Sequence, residues 1–280
     1  MYDNNWENVF NNSKDIQVKT FNTGSIHGKI DGIINTKEKV FPERYRGKKV
    51  ILPVLAHVIN YKNNYYLIDT GFDSSFSKIV GGSFKGIFKP IYFKNRYIQE
   101  TEIMGIENQL KTSQITINSI FLTHAHEYCA GLHTFDENIP LYVGKGEKDI
   151  NIFPFAYSNQ LKKHKHIVEL DFDENGLNMP ILGKCIDIFN DNSFWAINTR
   201  GHTKGHVSYL INSKKPVLIM GDLSISSLCF DLGIESGTFN EDGPTAKRSF
   251  KKMSKFLNRF PFVKTILGHE KKEEYKIKYI

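Results

Sequence analysis

Five times along this 280-residue chain a short apolar run of strand length ends on a polar motif. Leu67-Ile68 leads to Asp69-Thr70-Gly71, and Ile120-Phe121-Leu122 leads to Thr123-His124-Ala125-His126. Trp195-Ala196-Ile197-Asn198 leads to Thr199-Arg200-Gly201-His202, Val217–Met220 to Gly221-Asp222, and Thr265-Ile266-Leu267 to Gly268-His269. In α/β sheets the carboxyl ends of strands open into one crevice, so polar groups at those ends converge although they stand far apart in sequence. This repetition limits the chain to folds that stack several strands with a common edge.

The segments between these motifs fill in the layers. Val54–Tyr61 and Tyr65–Ile68, joined by Lys62-Asn63-Asn64, read as a strand hairpin. Glu100 to Lys111, with Ile103, Ile106 and Leu110 at near-helical spacing, predicts a helix. Pro244 followed by Phe250, Met253, Leu257 and Phe260 predicts an amphipathic helix with proline in its first turn. Strands alternating with helices indicate a layered α/β protein. No repeat and no linker rich in Pro, Gly or Ser divides residues 1–280, so one domain is expected. Residues 81–98 form an insertion rich in glycine and aromatic residues, including Phe84, Phe88, Tyr92, Phe93 and Tyr97. Such side chains either wall a ligand site or anchor a long loop to the core or to a second copy of the chain, a possible homodimer contact.

With 40% hydrophobic and 13% aromatic residues, the chain has enough apolar surface for a sizeable core. It lacks both an apolar window of membrane-spanning length and the charged-then-apolar start of a signal peptide, so a cytoplasmic protein is expected. Cys129, Cys185 and Cys229 are an odd, widely spaced set and predict reduced thiols. The net charge of +7 is spread over lysine-rich stretches such as 161–166 and 247–255, the pattern of a solvated surface. Nucleic acid is the less favoured partner, because no RNA-binding or helix-turn-helix motif accompanies that charge. A small-molecule substrate is expected instead.

A single Gly-His or Gly-Asp after a strand is by itself an ordinary turn. The His124-x-His126 pair is more specific, since residues two apart in an extended segment face one side. Three histidines and one carboxylate together suit zinc, and also iron or manganese.

Taken in order, Leu67-Ile68-Asp69-Thr70-Gly71, Thr123–His126, Thr199–His206, Gly221-Asp222 and Gly268-His269 resemble the motifs of the metallo-β-lactamase-fold hydrolases. The resemblance implies an αββα sandwich of two mixed β-sheets flanked by helices, with a metal site at one edge. The long stretch between Asp69 and His124 resembles the N-acyl homoserine lactonase branch. Carried over to this chain, the resemblance makes His124, His126 and His202 ligands of a first Zn2+, Asp222 a bridge to a second ion, and His269 a ligand of that second ion. Asp69 would orient the ligand histidines without binding metal, and His206 would serve as a structural hydrogen-bonding group.

Two departures bear on the chemistry. The family pattern His-x-His-x-Asp-His has Tyr128 in place of its Asp and Cys129 in place of its final His. That Asp also carries proton transfer in the family, which leaves Tyr128 and Asp222 as the catalytic candidates here. A phenol, with a reference pKa of ~10, ligates poorly, whereas a thiolate ligates zinc well, so Cys129 is the candidate second-site donor. The lactonase branch also has a tyrosine where this chain has Ile225.

Three outcomes follow. One metal on His124, His126, His202 and Asp222 lowers the pKa of its water to ~7 and generates hydroxide that opens an ester, lactone or thioester bond. Alternatively, Cys129, Asp222 and His269 hold a second ion and the enzyme is binuclear. In the third, the site is catalytically impaired and binds a metal or metabolite without turnover, with Cys129 as packing at a helix start.

Overall fold

The computed structural model describes residues 5–84, 91, 93–149, 161–237, 240–271, 274 and 276–280; the side chains of Glu127, Tyr128 and Asp149 lie outside that description. Its first mixed sheet contains β1 (Gln17–Lys29), β2 (Lys49–Tyr61), β3 (Asn64–Ile68), β4 (Tyr97–Ile98), β5 (Ile117–Phe121), β6 (Leu141–Gly144) and β7 (Ile167–Leu170), in the order β4-β1-β2-β3-β5-β6-β7. The second contains β8 (Leu177–Met179), β9 (Gly183–Asp187), β10 (Phe194–Asn198), β11 (Val207–Ile211), β12 (Val217–Ile219), β13 (Lys264–Leu267) and β14 (Glu270–Lys271), in reverse chain order across the sheet. A last strand, β15 (Lys278–Tyr279), returns to pair with β2.

Alternation along the strands explains the layering. Leu55 and Ile59 of β2 join Phe121, Phe194, Ala196 and Tyr209 in a core between the sheets. Val54, Ala56 and Val58 belong instead to the core outside, as do Trp195 and Ile197 of β10. A side-chain period of two thus puts apolar residues on both faces of each central strand. Helices α1 (Trp6–Asn11), α2 (Ile106–Thr112) and the long α5 (Gly243–Arg259) belong to that outer core, the short α4 (Ser227–Leu232) adds Cys229 to it, and the short α3 (Phe172–Asn175) buries Phe172 in the core between the sheets. Trp6 packs edge-on against both Trp195 and Phe256, at 5.4 and 5.2 Å between ring centres. The result is the αββα sandwich.

The hairpin forms as its sequence predicts. Tyr61 pairs with Asn64, and Lys62 and Asn63 take φ of 51° and 61°, the left-handed pair that a tight two-residue turn demands. Helix α5 starts where Asp242 accepts the Thr245 N–H at 3.0 Å, has proline in its first turn, and buries Phe250, Met253 and Phe256. The helix expected from Glu100 is shorter than its spacing suggests. Glu102–Met104 is a single 3-10 turn, Ile103 is 67% exposed, and regular α2 begins only after Gly105. Glycine in that place interrupts the helix and lets the chain pack directly on the Ser74 backbone.

Of the aromatic insertion, residues 85–90 and 92 lie outside the described residues. Phe84, Phe93 and Tyr97 are buried in a cluster with Phe72 and Phe76, so these three rings anchor the segment to the core. All three cysteines are buried and free of disulfides. Among the described residues no helix is long and apolar enough to cross a membrane.

Candidate metal centre

The strand ends bring the polar motifs together. Strands β3 and β5 run parallel, which sets Asp69 beside Thr123, and the β10–β11 turn of the other sheet delivers His202. Asp222 follows β12 and His269 follows β13, again parallel neighbours. The segment after Asp222 is tied to the second of these ends, because Gly268 and His269 donate their N–H groups to the carbonyls of Ser224 and Ile225 at 3.0 and 3.1 Å.

His124, His126 and His202 each turn one nitrogen to a common point, and the three atoms lie within 4.8 Å of one another. All three rings are buried, at 6% exposure or less. Burial first, and the other imidazoles second, push the pKa of His124 and His126 well below the ordinary value, so both rings are neutral at pH 7. Asp222 stands beside them. Its Oδ2 is 3.8 Å from His124 Nε2 and 3.5 Å from His202 Nε2, while its Oδ1 is 3.9 Å from His269 Nε2. One carboxylate oxygen therefore faces the histidine triad and the other faces His269.

The partners behind each ring assign its tautomer. Thr123 Oγ1 donates to Asp69 Oδ2 at 2.9 Å, so it accepts from Nδ1–H of His124, also at 2.9 Å. Asn240 gives its amide N–H to the Ser236 carbonyl at 2.7 Å, which leaves its oxygen to accept Nδ1–H of His202 at 3.1 Å. His269 donates Nδ1–H to the Pro53 carbonyl at 2.8 Å. In all three rings Nε2 faces Asp222, so nitrogen and carboxylate donors surround one point and the donor set fits a divalent cation. Spacing agrees: His126 Nδ1 and His202 Nε2 are 3.2 Å apart, and two nitrogens at zinc-ligand distance in a tetrahedron are about 3.3 Å apart.

Two glycines keep the approach open. Gly221 has φ of 55°, and a Cβ there would lie 2.7 Å from His206 Nε2 and 2.8 Å from Thr123 Cβ. A Cβ on Gly268 would strike Asp222 Oδ1. His206 itself is buried and bonds through Nδ1 to Thr199 Oγ1 at 2.9 Å, a bracing position behind the triad.

Cys129 is not among the histidines that converge. It is fully buried in the apolar core, with its thiol donating to the His126 carbonyl at 2.9 Å. Tyr128, the other departure, has its side chain outside the described residues.

Glu147 is the residue the sequence reading missed. It follows β6 on the run Leu141-Tyr142-Val143-Gly144, a strand end like the others, and its acidic group was the available signal. It is wholly buried. Oε2 accepts the Ala125 N–H at 2.7 Å, between the two histidines of the pair, while Oε1 accepts the Gly205 N–H at 2.9 Å and the Thr203 hydroxyl. One carboxylate thus clamps the His124–His126 loop of the first sheet to the His202 loop of the second.

Burial pushes the Glu147 carboxyl up to about 7, against the pull of these hydrogen bonds. A folded pKa above the unfolded one means that the native state holds this proton more tightly. The resulting stability is fully present below pH ~4.5 and is lost as pH rises through about 7. The lowered histidines act in the opposite sense below their ordinary pKa, so the carboxylate's share is read by difference. In urea melts of metal-free protein, wild type should lose up to ~1.4 kcal/mol per pH unit relative to Glu147→Gln between pH 5 and 7. A constant difference across that window contradicts the assignment.

His126, His202, Asp222 and His269 open onto a cavity of about 500 Å³. Apolar walls come from Ile26, Ile33, Leu52, Tyr97 and Ile225. Ile225, 6% exposed, occupies the position of the tyrosine expected from the lactonase branch and contributes no hydroxyl to this wall.

Comparison with known proteins bears on the family and the fold. The family model described as the metallo-beta-lactamase superfamily matches residues 51–269, a span that contains every donor discussed above. No curated protein sequence matches. Among solved structures, an N-acyl homoserine lactone hydrolase with the product N-hexanoyl-L-homoserine at its catalytic metal centre superposes with a TM-score of 0.69 at 19% identity, over 95% of this chain and 100% of that one. AidC, a dizinc quorum-quenching lactonase, gives 0.62 at 18% identity over 96% and 95%. A probable metal-dependent hydrolase from Staphylococcus aureus gives 0.64 at 17% identity over 92% and 90%.

Proposed function

Since this chain belongs to the metallo-beta-lactamase superfamily, we propose that it is a metal-dependent hydrolase that cleaves an ester, lactone or thioester bond of a small molecule. The observation that carries this reading is the convergence of the His124, His126 and His202 imidazoles and the Asp222 carboxylate at the edge of a largely apolar cavity. His124, His126, His202 and Asp222 would hold one divalent ion, and zinc suits their nitrogen and oxygen donors best. Bound there, the ion supplies Lewis-acid polarisation of the scissile carbonyl and acidifies water at neutral pH.

The chain's own groups do the remaining work. Asp69 through Thr123, Asn240 and the Pro53 carbonyl orient the rings of His124, His202 and His269, and Glu147 holds the two histidine loops in register. Asp222, which lines the cavity, is the proposed acceptor for the proton released there. Ile26, Leu52 and Ile225 exclude bulk water from the same space. Hydrolysis of a panel of lactones, esters, thioesters and phosphodiesters tests the reading. Turnover confined to phosphodiesters, or none by the metal-loaded protein, overturns it.

A second ion would have His269 and the far oxygen of Asp222 as its donors. The thiol of Cys129 is engaged with the His126 carbonyl, which supports a packing role for it rather than a ligand role. Cys129→Ala is therefore expected to leave the number of bound metals unchanged and to cost ~1 kcal/mol through the cavity it creates. Loss of one equivalent in metal analysis would make the sulfur a ligand.

A further inference from the structure

We propose that the substrate carries an acidic group besides the bond to be cleaved, and that Arg96, with Lys94 and Lys29, receives it. This inference rests on the hydrolase reading and specifies its substrate class. Lys29, Lys94 and Arg96 line the cavity that also contains His126, His202, Asp222 and His269. Among the described lining residues Asp222 is the sole carboxylate, and it belongs to the proposed metal centre. Among the described residues none of the three cations forms an ion pair. His27, in the same wall, has its pKa lowered by burial and adds no charge at pH 7.

Arg96 is the built part of this subsite. Its N–H donates to the carbonyl of the buried Phe93 at 3.0 Å, and its own carbonyl accepts the His27 N–H at 2.7 Å. The next residue, Tyr97, pairs with Ile26 across β4 and β1, and the guanidinium lies 5.7 Å from the Tyr97 ring centre. The side chain therefore leaves a turn pinned at both ends, which lowers the entropy cost of using it. Its Nε is buried and has no hydrogen-bond acceptor among the described residues. Arg96 lines the cavity, and its planar guanidinium suits a carboxylate or phosphate through charge-assisted bonds. The same cavity has apolar walls from Ile26, Ile33, Leu52 and Ile225, so the matching ligand joins an acidic end to a hydrocarbon portion.

The test compares mono(4-nitrophenyl) adipate with its methyl ester, which differs only in lacking the charge, and with 4-nitrophenyl 5-phosphonopentanoate. The acidic esters are expected to show kcat/KM at least about tenfold above the neutral one, a preference that shrinks with added salt and with Arg96→Gln. The better of the two acids identifies carboxylate or phosphate as the natural head group. Equal rates for acidic and neutral esters overturn the subsite while leaving the hydrolase reading in place. If no ester is cleaved, that reading fails for esters, and binding decides the subsite alone. Monomethyl adipate titrated into the metal-loaded protein should then bind about tenfold more weakly to Arg96→Gln/Lys94→Gln than to wild type, with dimethyl adipate as the uncharged control. An unchanged affinity would mean that the anion sits on the metal or nowhere specific, and would overturn the proposal.

Discussion

His202→Ala should empty the first metal position and lower kcat/KM for any substrate the protein hydrolyses by about a thousandfold, the ~4 kcal/mol that a lost Lewis acid represents. The reasoning is local. His202 Nε2 lies 3.2 Å from His126 Nδ1 and 3.5 Å from Asp222 Oδ2, so its removal takes a donor from the middle of the group. His124, His126 and Asp222 remain, but three donors supplied from one side bind far more weakly than four that surround the ion. Metal analysis after dialysis and steady-state rates on the same preparation check this together, with circular dichroism to show that the fold persists. Activity within tenfold of wild type would place catalysis outside this centre.

Glu147→Ala is expected to cost about 3–5 kcal/mol of folding free energy, because it leaves several buried donors without an acceptor at once. Those donors are the N–H groups of Ala125 and Gly205 and the Thr203 hydroxyl. Glu147→Gln keeps one carbonyl oxygen but turns an NH2 towards a donor, so an intermediate loss of about 1–2 kcal/mol is expected. Metal affinity should fall about 10–100-fold in the alanine variant, as it does when groups that orient ligands are removed. Urea denaturation of the metal-free protein and competition with a chelator separate the two effects. A stability change below ~1 kcal/mol would mean that the clamp is dispensable.

Much of this arrangement is legible from the chain because burial on both faces writes itself into a strand. Val54 to Ile59, Trp195 to Ile197 and Val217 to Ile219 are apolar at every position but His57, and they are the central strands of the two sheets. The histidines and Asp222 are legible for the opposite reason: strongly polar side chains placed immediately after such runs need a purpose. What escaped reading depends on contacts between distant segments. Glu147 gains its importance only when the loops around Ala125 and Gly205 close on it, and an isolated glutamate after a glycine gives no hint of that. Ile103 followed a helical spacing that Gly105 and the backbone of Ser74 cut short. The wall formed by Ile26, Arg96 and Tyr97 arises because β4 adds to the edge of β1, a pairing of two residues that no periodicity reveals.

The division of donors between the sheets has a consequence for how the molecule is made. His124, His126 and Glu147 are all synthesised before β8 begins, and His202, Asp222 and His269 all come after it. Neither half holds the whole of the proposed ligand set. A nascent or broken chain therefore offers a passing ion only two or three loose donors, and tight capture must await the docking of one sheet on the other. Metal retention would then report on the finished tertiary structure, and two separately expressed halves cut near residue 176 would need each other to keep an ion.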